Sequence, residues 1–523
     1  MTKRQKSLVR GISILGISGL ICKVIGVLYK IPLAHTIGPT GMGVYHQVFP
    51  TYNLLLTISS AGIPVAISRM VAGYLALDDK KSAKRVFTTA LLLLLVLGVL
   101  GTLLMVVLSP ILASVKGTAS AQSSFLMLAP SLLFVCVMSA YRGFMQGRRR
   151  MEPTAISQLI EQVGKVAIAM PFAAIGMRRG GFVSGAAGAL LGTSIAELLA
   201  LLYMLVDKKL ADREFDALPD AGGQAAPNKH IIRELMLISI PITIGASIVP
   251  IAAEVDSFML VRLMSGYLPG VEALIHYGTY VGLVFPLINV PTAFAMATSV
   301  NLVPAIGAAF ERKDFPAIQK ETATGLRIAS VIGLPASIGM SLLAEPILVL
   351  LFSGDQYTLA QLHKGAQLLE ISALTIVLFT MVQATSGILQ GLHKQRIPMY
   401  TLALGVVMKV LLNYTLVRIP AINIHGAPYA SLLCYFVSMV PNLYYVAKYG
   451  KVRLSFSQLV LRPGAASLVM GLSVLGMKAL LGERIISLFW ITITILIAVA
   501  VYFAAALYVK AIQTSDLPRR FRR

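Results

Sequence analysis

Charged residues are scarce in this sequence. Asp, Glu, Lys and Arg make up 13% of the 523 residues, whereas soluble globular domains contain about 25%. Hydrophobic residues reach 57%, and the mean hydropathy is +0.79. This composition excludes an ordinary soluble domain and predicts a polytopic membrane protein.

Other absences narrow the class of protein further. The three cysteines, Cys22, Cys136 and Cys434, lie far apart in apolar segments, so we expect neither a disulfide framework nor a metal site. The sequence has no GxxxxGK[ST] loop for ATP and no HExxH motif. No long outer loop carries clustered carboxylates or histidines. We therefore expect a transporter rather than an enzyme, and no cofactor.

Acidic residues are outnumbered, with 22 Asp and Glu against 45 Lys and Arg, a net charge of +23. The basic residues cluster at the ends of apolar segments, in alternate loops and at both termini, as the positive-inside rule requires. No basic soluble domain is present, so we expect no nucleic-acid partner. Both termini are predicted to be cytoplasmic. The basic start leads into a full-length span without an A-x-A-like site, which predicts no cleaved signal peptide.

Fourteen apolar segments are each long enough to cross a bilayer as a helix. They cover approximately residues 11–37, 43–75, 87–113, 122–147, 154–177, 182–206, 235–264, 274–309, 323–352, 364–391, 397–419, 426–447, 463–482 and 485–510. The predicted fold is an all-α polytopic membrane protein with about 14 transmembrane helices. Spans 43–75 and 274–309 contain proline or glycine interruptions, so we expect both to be bent.

A short pattern recurs in the two halves of the chain. GFMQG (143–147) and GILQG (387–391) each precede a basic loop, and a lysine, Lys165 or Lys409, follows nineteen residues after the glutamine. Both copies face the cytoplasm. We therefore expect two pseudo-symmetric six-helix bundles related by an axis along the membrane normal. In such folds the substrate site lies between the halves.

The repeat and the loop lengths predict the domain organisation. The predicted parts are 1–206, an N-terminal six-helix bundle; 207–233, a cytoplasmic linker; 234–450, a C-terminal six-helix bundle; and 451–523, two additional helices with a basic tail.

Two lysines interrupt the first span. Lys23 and Lys30 are seven residues apart, so they fall within about 20° of the same helix face. A lysine near the bilayer centre costs about 2.5–3.5 kcal/mol on insertion scales. One interpretation is that this cationic stripe lines a water-filled cavity and binds an anionic substrate. The alternative is that one or both lysines snorkel to the headgroup region.

Three further residues are candidate substrate-binding groups in the interrupted spans. Arg69 either faces the same cavity or anchors the inner interface. Asn53 and Asn289 either line the cavity or hydrogen-bond backbone that is freed by proline.

The seventh span contains two carboxylates. Glu254 and Asp256 do not share a helix face, because residues two apart point in different directions. They are candidates for a proton or sodium site, or for a partner to a lysine. Arg262 lies eight residues after Glu254 on a similar face and is a further candidate substrate-binding residue.

The fifth span offers a local charge pair. Glu161 and Lys165 are spaced i, i+4, which predicts a structural ion pair. Glu197 is isolated in the sequence, and we assign it no function.

Two stretches resemble a known family. They are residues 37–72, IGPTGMGVYHQVFPTYNLLLTISSAGIPVAISRMVA, and residues 139–166, SAYRGFMQGRRRMEPTAISQLIEQVGKV. Both resemble the multidrug/oligosaccharidyl-lipid/polysaccharide (MOP) exporter superfamily, in particular its SpoVB/MurJ-like branch of Gram-positive bacteria. The resemblance implies a V-shaped pair of six-helix bundles plus two C-terminal helices. It also implies flipping of undecaprenyl-pyrophosphate-linked sugars, lipid II or a related precursor, by alternating access.

The resemblance also bears on single residues. MurJ-type members have functionally important basic residues in span one; Lys23, in CKVIG, matches one such position, and Lys30 falls one residue from the second. The acidic residue that these members often carry early in span two is absent, and GVYHQVF stands there instead. That departure leaves the identity of the glycan open.

The sequence therefore predicts a flippase in the bacterial plasma membrane. The expected partners are a lipid-linked anionic glycan, membrane lipids and cell-wall synthesis enzymes. The membrane potential, sodium or protons would drive transport. Three alternatives stay open: a multidrug cation antiporter of the same fold, a membrane glycan polymerase, and a scaffold for cell-wall enzymes.

Overall fold

A computed structural model describes residues 3–216 and 224–512, which fold almost entirely into helices. In chain order the α-helices are α1 (Lys3–Ser60), α2 (Ile63–Ala76), α3 (Lys80–Val115), α4 (Gln122–Gly147), α5 (Glu152–Gly164), α6 (Met170–Asp216), α7 (Asn228–Met264), α8 (Gly270–Thr279), α9 (Phe285–Glu311), α10 (Phe315–Leu342), α11 (Ala344–Phe352), α12 (Leu359–Ala373), α13 (Thr375–Gly391), α14 (Arg396–Leu416), α15 (Gly426–Gly450), α16 (Arg462–Leu481) and α17 (Leu488–Tyr508). Short π-helical segments lie at Lys165–Ala169, Tyr280–Val284 and Ser457–Leu461, and 3-10 turns at Ala119–Ala121, Asn423–His425 and Gly482–Ile486.

Twelve helical stretches of the described residues are long and apolar enough to cross a membrane. Two of them, Ile21–Ala76 with 56 residues and Glu152–Asp212 with 61, are long enough for two crossings each, because about 20 residues span a bilayer. Both contain a glycine with a positive φ, Gly38 (64°) and Gly181 (66°), where the helix is interrupted. Glycine adopts this backbone region without a steric penalty. Division at these glycines agrees with the predicted count of about fourteen spans.

The two spans that were predicted to be bent are both interrupted. Within 43–75, α1 ends at Ser60 and α2 begins at Ile63, with Pro64 in the first turn of α2. Within 274–309, the π-helical segment Tyr280–Val284 separates α8 from α9. Proline lacks the N–H that continues the helical ladder, which explains breaks at these points.

The helices pack as two compact units. The first lies within Met1–Ser265 and Pro269–Gly278, and the second within Gly266–Leu268 and Thr279–Arg523. Helix α7 therefore packs in the first unit, where it contacts α1, α2 and α3. The domain boundaries expected from the repeat stay a prediction.

Each unit has its own apolar core. In the first unit the core joins α2, α3, α4, α6 and α7, and the rings of Phe87 and Phe144 lie 4.7 Å apart within it. In the second unit one core joins α9, α10, α13 and α15. Another joins α10 to the two C-terminal helices α16 and α17, where the Tyr502 hydroxyl donates to the Val331 carbonyl at 2.7 Å.

The glycines of the recurring pattern serve the same purpose in both units: they allow α4 and α13 to lie close against an interrupted span, as small-xxx-small motifs do in membranes. A Cβ added at each glycine would meet a backbone carbonyl oxygen: Gly143 that of Pro64 at 2.8 Å, Gly147 that of Ser68 at 2.9 Å, Gly387 that of Ser299 at 2.8 Å and Gly391 that of Val303 at 3.0 Å. The repeat found in the sequence is thus matched by equivalent packing.

We expect Gly143→Ala to destabilise the first unit, because the new methyl group overlaps the Pro64 backbone, which cannot easily move. Overpacking of this kind costs about 1–3 kcal/mol. Thermal unfolding of the detergent-purified protein measures the effect as a lower Tm. Gly73→Ala, on exposed α2 surface with no atom within 4 Å, is the matched control. Equal Tm values for the two variants would contradict the packing argument.

Candidate substrate-binding site

The two lysines of the first span are both accessible in the structure. On α1, the Lys23 side chain is exposed and Lys30 is half-buried. Lys30 interacts electrostatically with Lys165 and His46, and it forms no ion pair with any residue in the described ranges. A half-buried ammonium without a counter-charge suits an anionic ligand, because an unpaired charge inside a membrane is costly.

Helix α5 lies alongside this part of α1. A Cβ added at Gly26 would lie 3.0 Å from Gln162 Oε1, so the two helices approach closely there. The predicted Glu161–Lys165 pair is wrong: Glu161 Oε1 instead accepts from Arg142 Nη2 of α4 at 2.7 Å. The i, i+4 rule considers contacts within one helix only. Here the guanidinium of Arg142, on a neighbouring helix, pairs with Glu161 instead.

The remaining predicted binding residues are spread over several helices. Asn53 is half-buried on α1, and Arg69 is exposed on α2. Arg262, exposed near the end of α7, donates from Nη1 to the Val115 carbonyl at 3.2 Å. Asn289 is exposed on α9, in the second unit. Their roles in substrate binding stay predictions.

Glu254 has a partner that the sequence did not reveal, namely Lys116 in the short connection after α3. Lys116 Nζ lies 2.8 Å from Glu254 Oε1, and the lysine is fully buried. Thr51 Oγ1 donates to both oxygens of the same carboxylate, at 2.9 and 3.1 Å. Burial lowers the pKa of the Lys116 ammonium, and the Glu254 carboxylate opposes that shift.

Lys116 also has three uncharged acceptors. Its Nζ donates to the Gln47 carbonyl at 2.7 Å, to Thr51 Oγ1 at 2.8 Å and to Ser257 Oγ at 2.8 Å. The ammonium therefore ties α1, the α3–α4 connection and α7 together. Asp256, one residue before Ser257, is buried.

A second carboxylate lies in the interior of the first unit. Glu197 on α6 is 3% exposed. Its Oε1 accepts from the Tyr52 hydroxyl at 3.0 Å, and Oε2 has no hydrogen-bond partner among the described residues. This contact could not be predicted from the sequence, because Tyr52 and Glu197 are 145 positions apart.

No group of three or more His, Cys, Asp or Glu side chains among the described residues could hold a metal ion. The candidate binding residues of the first unit are cationic and polar side chains on α1, α2 and α7.

Comparison with known proteins identifies the fold. The structure resembles that of the lipid II flippase MurJ in an inward closed conformation, with a TM-score of 0.68, 15% identity and coverage of 95% of this chain and 99% of that one. It also resembles an inward-facing multidrug resistance MATE family transporter of the MOP superfamily, with a TM-score of 0.66, 18% identity and coverage of 84% and 99%. The protein therefore belongs to the class of multi-pass membrane proteins with the MOP transporter fold.

Sequence comparison places the chain within that class. Residues 8–310 match the family described as polysaccharide biosynthesis protein, and residues 246–415 match MatE. The chain belongs to the polysaccharide biosynthesis protein family, in the MurJ/SpoVB-like branch of the MOP superfamily.

Two relatives illustrate this branch. The lipid II flippase MurJ of Bacillus subtilis (strain 168) is 25% identical over 454 residues, which cover 83% of this chain and 82% of that protein. The stage V sporulation protein B of the same organism is 24% identical over 432 residues, which cover 82% and 81%. The family, the fold class and the transporter rather than enzyme class predicted from the sequence are confirmed.

Proposed function

We propose that this protein is a flippase that moves an undecaprenyl-pyrophosphate-linked cell-wall precursor, lipid II or a related lipid-linked oligosaccharide, from the cytoplasmic to the outer leaflet. The observation that carries the proposal is the half-buried Lys30, without an ion pair, on the same span as exposed Lys23. Ammonium groups at fixed positions bind phosphate as point charges. Family membership supports a lipid-linked glycan as the molecule that bears this phosphate.

In this mechanism the pyrophosphate enters from the cytoplasmic leaflet and meets Lys23 and Lys30, with Arg69, Asn53, Arg262 and Asn289 as further contacts during alternating access. The polyprenyl tail stays in lipid. Outward movement of negative charge is favoured by an inside-negative potential, by about 2.3 kcal/mol per charge per 100 mV. Both termini face the cytoplasm, and the enzymes that make and use the precursor are the expected partners.

Sodium or proton coupling would act through Glu254 or Asp256. Both Glu254 oxygens already accept hydrogen bonds, and Lys116 occupies one of them. An ion at Glu254 therefore shares the carboxylate with the Lys116 ammonium or competes with it. Asp256, two residues after Glu254, is buried.

Reconstituted vesicles test the substrate class. A fluorescent lipid II, a second undecaprenyl-pyrophosphate oligosaccharide and the cationic dye ethidium are supplied separately, and arrival at the far side is measured over time. We expect transport of at least one lipid-linked pyrophosphate and none of ethidium. Transport of ethidium alone would overturn the proposal in favour of a multidrug cation antiporter of the same fold.

A further inference from the structure

We propose that Lys165 of the fifth span is a substrate-binding residue, and that it forms a two-lysine pyrophosphate site with Lys30. This inference rests on the proposed function and extends it by adding α5 to the binding surface.

The first argument is that Lys165 does not pair with Glu161, the partner predicted from the sequence. Glu161, one helical turn earlier, is held by Arg142 at 2.7 Å. Arg142 Nε in turn donates to Ser157 Oγ at 3.0 Å, which fixes the guanidinium. Lys165 itself is half-buried and has neither an ion pair nor a side-chain hydrogen bond within the described ranges.

The second argument is that the other nearby carboxylate is engaged elsewhere. Glu197 interacts electrostatically with Lys165 but forms no ion pair with it. Its Oε1 accepts from Tyr52. No described carboxylate is therefore paired with Lys165, and its ammonium can donate to a ligand.

The third argument is the position of the two lysines along neighbouring helices. α1 and α5 meet where Gly26 faces Gln162. Lys30 follows that contact by four residues on α1, and Lys165 follows it by three on α5. The two ammonium groups interact as like charges, which is unfavourable unless an anion lies with them. A pyrophosphate group, with several oxygens and more than one negative charge, can accept from both.

The fourth argument is that the backbone under Lys165 is held firmly. Lys165 opens the π-helical segment Lys165–Ala169, and single π-helical turns occur frequently at functional sites. The segment is held against α6 on both sides: a Cβ added at Gly164 would lie 2.6 Å from Ala196 Cβ, and one at Gly192 would lie 2.3 Å from Ala169 Cα. Such close packing holds the backbone from which the Lys165 side chain extends.

Substitution of Lys165 by methionine, which has similar length and no charge, tests the proposal. In the vesicle assay we expect Lys165→Met to raise the KM for the lipid-linked pyrophosphate at least tenfold, and Lys165→Arg to stay within threefold of the unmodified protein. Lys478→Met is the matched control: Lys478 is also half-buried in an apolar helix, and it donates to the Leu342 carbonyl of the second unit. We expect no change in KM for that variant.

A thiol substitution keeps the test decisive if the methionine variant is unstable. Lys165→Cys is modified in folded protein with 2-aminoethyl methanethiosulfonate, which restores an ammonium, or with the neutral methyl reagent. Transport should return only with the cationic reagent, and bound substrate should slow the modification. The native cysteines are buried, and unsubstituted protein treated in parallel reports their contribution.

The outcomes separate this inference from the proposed function. If the unmodified protein moves no lipid-linked pyrophosphate, the proposed function fails. If it does, and Lys165→Met keeps the normal KM or the two reagents restore transport equally, the assignment of Lys165 is wrong while the proposed function stands.

Discussion

Replacement of Lys23 and Lys30 together by alanine is expected to reduce flipping of the lipid-linked pyrophosphate by at least a hundredfold. A hydrogen bond to a charged group contributes about 1.5–3 kcal/mol, and about 1.4 kcal/mol is a factor of ten in affinity. Two such contacts therefore account for a factor of roughly 100 or more. The measurement is the initial rate of flipping in reconstituted vesicles at a substrate concentration below the KM.

This loss cannot be attributed to poor membrane insertion. Each lysine disfavours insertion by about 2.5–3.5 kcal/mol at the bilayer centre, so the alanine variant should enter the membrane at least as readily. The matched control is the Lys23→Arg, Lys30→Arg variant, which retains both charges and should keep most of the activity. Normal flipping by the double alanine variant would remove the electrostatic basis of the proposed function.

The two lysines could be identified from the sequence because helical spacing alone sets their common face. Composition likewise sufficed for the number of spans, since a bilayer demands about 20 apolar residues whatever the fold. The interruptions of the second and eighth spans followed from proline chemistry. The repeat indicated that Gly143 and Gly387 are equivalent positions, and the structure adds that both pack against the backbone of a neighbouring helix.

Contacts between distant segments could not be predicted in this way. Glu161 pairs with Arg142 and not with Lys165, because α4 places the Arg142 guanidinium beside α5. A rule for contacts within one helix cannot predict this pair. In the sequence, Lys116 is an isolated basic residue between two apolar segments. Its partners Gln47 and Ser257 are 69 and 141 positions away, so only the folded chain shows that they meet.

The packing of α7 in the first unit also depends on contacts between distant segments. The repeat places this helix at the start of the second half, whereas its side chains contact residues of the first. The Gly62 N–H donates to Thr243 Oγ1 at 3.2 Å, and Lys116 pairs with Glu254. These polar contacts and the apolar core of the first unit hold α7 there.

The Lys116–Glu254 pair leads to the prediction with the largest expected effect on stability. We expect Lys116→Met to destabilise the protein by about 3–5 kcal/mol, since removal of one member of a buried ion pair leaves the other charge unpaired. The methionine also removes the ammonium that donates to the Gln47 carbonyl and the Ser257 hydroxyl, although Ser257 Oγ still donates to that carbonyl at 3.1 Å. Unfolding by denaturant in detergent, followed by fluorescence, measures the change in free energy.

Glu254→Gln supplies the second arm of a double-mutant cycle. Neutralisation of Glu254 alone leaves a buried ammonium that still has three uncharged acceptors, so we expect a smaller loss than for Lys116→Met. In the Lys116→Met, Glu254→Gln protein no unpaired charge remains, and the combined loss should be less than the sum of the single losses, as coupled residues require. Strict additivity would show that the two charges do not interact.

A charge exchange sharpens the test. In a Lys116→Glu, Glu254→Lys protein the attraction between the two positions is kept, but the Gln47 carbonyl now faces a carboxylate instead of a donor. Two acceptors that face each other in a buried site repel each other, and the Gln47 carbonyl loses its charged donor. We therefore expect the exchanged protein to be no more stable than Lys116→Met. Recovery of full stability would mean that the ion pair alone, and not the hydrogen bonds to α1, holds the connection after α3 in place.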